Sequence, residues 1–185
     1  IAPSFKNFLS HSSFNTKHVL DIGCGTGKYL KLLKSSGFKT DGIDSSKTAV
    51  QMTEKLLGDD SKIVFVNMFD FRIPKNKYDL IISVATIHHG TKRQVRNLVN
   101  RIHSALMNRG KIFIPLPNYE NRMKWDTFKK QKEIAPGTFA PLSGPEKGLP
   151  HSFYTKTEVQ KLFAKYRNIK LSLISHGRWV IQASK

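Results

Sequence analysis

"HVLDIGCGTGKYL", residues 18–30, begins as an apolar strand, turns through three glycines and continues as a helix. Bare backbone at the mouth of a helix lets a ligand approach where any Cβ would collide with it. Gly23, Gly25 and Gly27 are spaced by two, whereas the third glycine of a dinucleotide fingerprint follows the second by three, so this turn is shaped differently and does not favour a pyrophosphate. Asp21, one residue before the end of the strand, repels a phosphate and attracts an amino group or a sulfonium. The expected ligand is a zwitterion.

Outward from this turn, short apolar runs rich in β-branched residues alternate with segments of helical period, the pattern of a parallel sheet covered by helices. The expected strands are Lys17–Ile22, Lys39–Ile43, Ile63–Asn67, Tyr78–Val84, Gly110–Leu116, Ile169–Ser175 and Arg178–Ala183. Helices are expected over Lys28–Ser36, Ser46–Leu57, Thr91–Met107 and Thr157–Tyr166, the first two closing at Gly37 and Gly58. The last two strands, linked at His176 and Gly177, read as an antiparallel hairpin on the edge of the sheet. The stretch from Asn118 to His151 is the least regular. Within it "APGTFAPLSGPEKGLPH", residues 135–151, carries enough Pro and Gly to oppose regular structure and reads as a substrate cover inserted in a single domain spanning residues 1–185.

Two further acids follow strands. Asp44, with Ser45 in "GIDSS", lies about 20 residues beyond the first glycine, where a carboxylate can accept from both hydroxyls of a ribose. Asp70, in "NMFDF" after the third strand, can accept from an adenine amino group while Met68, Phe69 or Phe71 packs on the ring. Each acid alone is weak evidence. Their joint placement along the rim where open sheets bind ligands is harder to obtain by chance.

"VLDIGCGTGKYL", "GIDSS", "NMFDF" and "YDLIISVATIHH", in that order over Lys17 to Leu116, resemble the class I S-adenosylmethionine-dependent methyltransferases. The resemblance implies an α/β, Rossmann-like fold: a seven-stranded, mostly parallel sheet with an antiparallel last strand and helices on both faces. It also implies S-adenosyl-L-methionine as cofactor and transfer of its methyl group to a nucleophile. Carried over residue by residue, Asp21, Gly23, Gly25 and Gly27 surround the methionine part, Asp44 the ribose, Asp70 with Phe71 the adenine, and Val84 or Ala85 the sulfonium. Cys24 is a small neighbour of the same loop. A narrower set, "IAPSF", "GKYL", "ATIHH" and "GRWVIQASK", is similar to the methyltransferases that esterify carboxymethyl-uridine at the tRNA wobble position; this implies a tRNA acceptor and a small zinc-binding activator subunit. In place of that family's tryptophan-containing segment after the fifth strand stands "IPLPNYEN", residues 114–121.

An acceptor that is already a carboxylate needs no base. A hydroxyl or amine must lose a proton, and His88 or His89, directly after the fourth strand, is placed for that role. Adjacent histidines on a turn point apart, and without a neighbouring Cys, Asp or Glu no metal site is expected. His151, Phe153 and Tyr154 end the irregular stretch and border either an acceptor pocket or the core, and Arg178 and Trp179 in the last hairpin stack on a base or pack internally.

Charge gives the acceptor class its only other support. The 185 residues contain 31 Lys and Arg against 13 Asp and Glu, a formal net charge of +18. Such a chain attracts polyanions, so RNA and a small metabolite remain the two acceptor readings. Outside the methyltransferases, a nicotinamide oxidoreductase conflicts with the glycine spacing, and a non-catalytic RNA-binding protein with a vestigial pocket predicts no cofactor uptake. The longest apolar run, "LIISVATI", is far shorter than the roughly 20 residues of a membrane span. The single cysteine fits a reducing compartment such as the cytoplasm, and the opening Ile1 leaves an upstream segment open.

Overall fold

The computed structural model describes residues 1–124, 128–174 and 177–185. Its strands are β1 (His18–Ile22), β2 (Lys39–Asp44), β3 (Lys62–Phe65), β4 (Tyr78–Ile82), β5 (Leu106–Pro117), β6 (Gln131–Ala135), β7 (Thr138–Pro141), β8 (His151–Ser152), β9 (Arg167–Ile174) and β10 (Arg178–Ser184). The helices are α1 (Pro3–Ser10), α2 (Lys28–Ser35), α3 (Lys47–Leu57), α4 (Lys92–Ala105) and α5 (Lys156–Leu162). Ser175 and His176, the expected strand end and hairpin link, lie outside the described residues.

Seven strands form one sheet in the order β3-β2-β1-β4-β5-β10-β9. From β1 to β5 every neighbouring pair is parallel, and β10 runs antiparallel to both β5 and β9. The order reverses between β1 and β4, and the crevice at that switch, outside the carboxyl ends of the strands, is where open α/β sheets take ligands.

Strand period sorts the core onto two faces. Val19, Leu80, Ile82 and Phe113 pack with Phe5 and Phe8 of α1, Leu30 and Leu33 of α2 and Val50 and Leu57 of α3. Their neighbours Leu20, Ile81, Ile112 and Ile114 point the other way, against Val95, Leu98, Val99 and Ile102 of α4 and Val159 of α5. Full burial of each such side chain stabilises the fold by about 1.5–3 kcal/mol, which is why α4 holds although its other face is strongly basic. Its start is fixed by a capping box in which Thr91 accepts from the Gln94 amide and the Gln94 side chain accepts from that of Thr91.

One element has no counterpart among those expected from the sequence, and one expectation changes. Pro3–Ser10 forms α1, in which Pro occupies the first turn and Phe5 and Phe8 are buried. The inserted stretch is more regular than its composition suggests, because β6 and β7 form a hairpin across Pro136 and Gly137 and β8 pairs with β7. Pro-Gly here serves as the turn between strands, and Phe139, Phe128 and Phe153 give the small sheet an aromatic core of its own.

Candidate active site

The glycine turn after β1 is held from three sides. The Gly23 and Cys24 amides donate to the Ile43 carbonyl at 2.8 and 3.0 Å, Thr53 Oγ1 of α3 donates to the Gly25 carbonyl at 2.7 Å, and the Gly25 amide donates to Asp44 Oδ2 at 2.9 Å. Gly23 has φ +78°, and a Cβ there would overlap the Thr86 side chain from the loop after β4. Gly25, at φ +54°, faces open space, so its backbone is accessible to a ligand.

A cleft of about 350 Å³ opens beside this turn, lined by Gly23, Ile43, Asp44, Ser45, Val66, Asn67, Met68, Phe69, Thr86, His89 and Leu149. Asp44 Oδ1 also accepts from the Ser46 amide at 2.8 Å, which fixes the carboxylate at the cleft while leaving each oxygen a further lone pair. Asp21 is 2% exposed, and its Oδ1 has no hydrogen-bond partner. Burial, and after it the charge of Asp44, pushes the Asp21 pKa up to about 8. A ligand cation is the partner such a carboxylate lacks. Asp21 itself does not line the cleft and adjoins it in sequence through Gly23, two residues on, whereas the larger hollows, of about 700 Å³ beside Asp70 and about 390 Å³ beside Asn7, include no part of the glycine turn.

Of the residues expected on the adenine side, Met68 and Phe69 line the cleft and Asp70 and Phe71 do not. Asp70 lines the hollow with Arg72 and Arg101, and Phe71 lines another with Tyr78, so neither lines the cleft. The cause is a tight turn at Asn67, whose carbonyl accepts from Asp70 and Phe71 at 3.0 Å and whose Oδ1 accepts from the Phe69 amide at 2.9 Å. Arg101 of α4 clamps the turn by donating to the Phe71 and Met68 carbonyls at 3.0 and 3.2 Å. Asn67, Met68 and Phe69 are thereby presented instead. The asparagine two residues past β3 was the sequence signal for that turn.

Cys24 also turns away from the cleft. Its side chain packs in the core with Leu30 and Ile63, and burial pushes the thiol up to about 12. Val84 is half-buried and Ala85 exposed in the loop after β4, where Ala85 holds φ +61°, a left-handed conformation that stores strain beside the cleft.

His88 and His89 do not diverge from all other ligands. Their ring centroids are 4.3 Å apart, and His151 of β8 closes the group at 5.4 Å from His88 and 4.6 Å from His89. Glu146 Oε2 lies 3.3 Å from His151 Nε2. Local spacing could not foretell this, because the third histidine and the carboxylate arrive from the inserted stretch. The Ser152 amide donates to the His88 carbonyl at 2.9 Å, so β8 is fastened directly to the histidine turn. His89 reaches the cleft; His88, 1% exposed, is buried behind it. Burial, then the charges of His151 and Arg178, brings His89 down to about 4, and burial brings His88 well below the ordinary imidazole range, so both are neutral near pH 7.

A family model described as a methyltransferase domain matches residues 2–166. This chain belongs to that family. The methyltransferase is 28% identical over 170 residues to a Bacillus licheniformis protein named "Uncharacterized methyltransferase", covering 90% of this chain and 77% of the relative. It is 28% identical over 135 residues to the Bos taurus "Probable tRNA methyltransferase 9B", covering 72% of this chain and 28% of that protein. Among solved structures, an S-adenosylmethionine-dependent methyltransferase from Mesorhizobium loti superposes with a TM-score of 0.77 at 14% identity, over 100% of this chain and 98% of the other. A chain from the complex between the Haloferax volcanii Trm112 methyltransferase activator and a methyltransferase gives 0.76 at 13% identity, over 97% and 87%. The fold is therefore the Rossmann-like fold of the class I methyltransferases.

Proposed function

We propose that the enzyme takes S-adenosyl-L-methionine in the cleft and methylates an RNA acceptor, with the carboxymethyl group of a tRNA wobble uridine as the specific substrate. The observation that carries the cofactor assignment is the glycine turn tied to Asp44 at the cleft, with a buried, partnerless Asp21 oxygen two residues before its first glycine. When bound, the cofactor supplies a methyl group on an electron-poor sulfonium.

In this reading Asp21 balances the ammonium end of the ligand, and the Gly23–Gly25 backbone lies against its methionine part with Gly27 opening α2. Asp44 and Ser45 accept the ribose hydroxyls. Val66, Asn67, Met68 and Phe69 enclose the adenine, Met68 and Phe69 as ring-packing residues and Asn67 in the polar part expected of Asp70. Val84 and Ala85 flank the sulfonium. Holding an acceptor in line about 3 Å away supplies much of the acceleration. A carboxylate acceptor is already a nucleophile, so no residue need remove a proton from it.

RNA is favoured by an exposed basic surface. Arg93 and Arg96 of α4 and Lys124, Lys129, Lys130 and Lys132 of the insertion are all exposed, as are Lys161, Lys165 and Arg167 near α5. A small-molecule hydroxyl or amine is the second reading, supported by a neutral His89 at the cleft as its base. A zinc-binding activator subunit is part of the first reading; the open edge of β3, with Phe65 57% exposed, offers it a strand to pair with. The single buried Cys24 fits a cytoplasmic setting, and no helix among the described residues is long and apolar enough to cross a membrane.

Incubation with methyl-labelled cofactor and cell extract, followed by separation into RNA, protein and metabolite fractions, tests the assignment. Label in tRNA supports it, label among metabolites moves the acceptor to the second reading, and no cofactor uptake at all removes both in favour of a vestigial pocket.

A further inference from the structure

We propose that His88, His89 and His151, with Glu146, form a divalent zinc-type metal site that clips the inserted stretch onto the loop after β4, at the edge of the cleft. The proposal goes beyond the methyl-transfer reading and is compatible with it where the acceptor is a carboxylate, since a metal-bound His89 is not a base.

One ligand atom from each histidine lies within 4.8 Å of the other two, although the residues come from segments about 60 positions apart in sequence. A tetrahedral zinc with nitrogen ligands at about 2.0–2.1 Å separates its donors by roughly 3.4 Å, so side-chain rotation and a small closure of the loop complete the set. Imidazole nitrogen with one carboxylate is a ligand mixture that suits zinc.

Two buried polar features ask for a cation there. His88 is 1% exposed and its Nδ1 has no hydrogen-bond partner. His151 Nδ1 lies 2.8 Å from the Leu149 carbonyl, which can only accept, so Nδ1 carries the proton. Its Nε2 is then a bare lone pair facing the Glu146 carboxylate at 3.3 Å. Two acceptors in contact repel unless a proton or a metal ion lies between them, and a metal ion there would also reach the other two rings. Arg178 also acts on all three rings, and its positive charge weakens the site relative to three isolated histidines, while Glu146 offsets it.

The site has a mechanical consequence. Leu149 and His89 both line the cleft, so a metal joining His151 and Glu146 to the histidine turn fixes the wall they share. Exposed Lys147, between Glu146 and His151, reports on that fixation.

The test uses the whole chain, stripped with a chelator and titrated with Zn²⁺ or Co²⁺ in the absence of any methyl donor. The expected result is one equivalent bound, an intense tetrahedral Co²⁺ spectrum displaced by Zn²⁺, and tryptic cleavage after Lys147 slowed about tenfold. His89→Ala and His151→Ala should each weaken binding at least about tenfold, and His11→Ala, just past the end of α1, should leave it unchanged. His151→Gln, with melting followed in the metal-free state, separates lost ligation from lost folding. Absence of a stoichiometric complex, or binding that both cleft variants leave intact, overturns the proposal. Either failure leaves donor binding, measured separately, untouched.

Discussion

Asp44 Oδ2 accepts the Gly25 amide at 2.9 Å, so the acid at the end of β2 and the glycine turn after β1 are one unit. Replacing Asp44 by Ala removes the tie that shapes the turn and, on the proposed reading, the ribose acceptor. The expected outcome is a loss of S-adenosylmethionine affinity of about tenfold or more, as for charge-assisted hydrogen bonds. Calorimetry returning the wild-type affinity would exclude Asp44 from the ribose site.

Gly23 and Thr86 are a second coupled pair. Gly23→Ala puts a Cβ into the Thr86 side chain at φ +78°, a conformation that costs an ordinary residue about 1–2 kcal/mol before any clash. The variant is expected to lose stability and cofactor binding together. Because the Thr86 Cβ is itself part of the overlap, Thr86→Gly is the change that should relieve the clash but not the backbone cost, a partial rescue that a double-mutant cycle on urea midpoints measures.

Asp21 predicts a pH dependence of definite sign. Its folded pKa, raised to about 8, means that the native state keeps a proton that the unfolded chain has lost above about pH 4. The stability this group contributes is complete below about pH 4 and lost as pH rises to about 8. Buried neutral His88 and His89 act in the opposite sense below about pH 6.5, so the Asp21 contribution is read as a difference: the Tm of wild type minus that of Asp21→Asn should fall across the window by roughly 5 °C or more. Donor affinity should move oppositely, rising toward pH 8 as the carboxylate ionises to meet the ligand cation. A pH-independent affinity would show that Asp21 does not face that charge.

Arg101 holds the turn after β3 through two carbonyls, those of Phe71 and Met68. Arg101→Ala is expected to weaken cofactor binding about three- to tenfold, and Arg101→Lys to rescue little of it, because a single ammonium does not reproduce the planar fork. Full rescue by lysine would reduce the residue's role to charge.

If RNA is the acceptor, its affinity should fall steeply between 50 and 200 mM salt, by about 10³-fold where six phosphates are contacted. Charge reversal at Arg93 and Arg96 should lower the slope without changing donor binding. A flat salt response would favour the small-molecule acceptor.

The alternation of apolar strands with helical segments, the bare turn at Gly23–Gly27 and the acids Asp21 and Asp44 were all legible along the chain. They are local: a strand's period, a glycine's missing Cβ and a charge beside a strand end are written in adjacent residues. Placement of the residues after β3 was not. Whether Asp70 or Phe69 meets the cleft depends on a carbonyl clamp from Arg101, about 30 residues away. The histidine group shows the same division more sharply. His88 and His89 announce themselves side by side, but only the hairpin and short strand of the insertion bring His151 and Glu146 to them, because that contact is made by folding a distant segment back over the end of β4. Sequence by itself determined the sheet, the turn and the sign of the ligand charge; tertiary structure decided which side chains surround it, since long-range hydrogen bonds, and no local pattern, aim them.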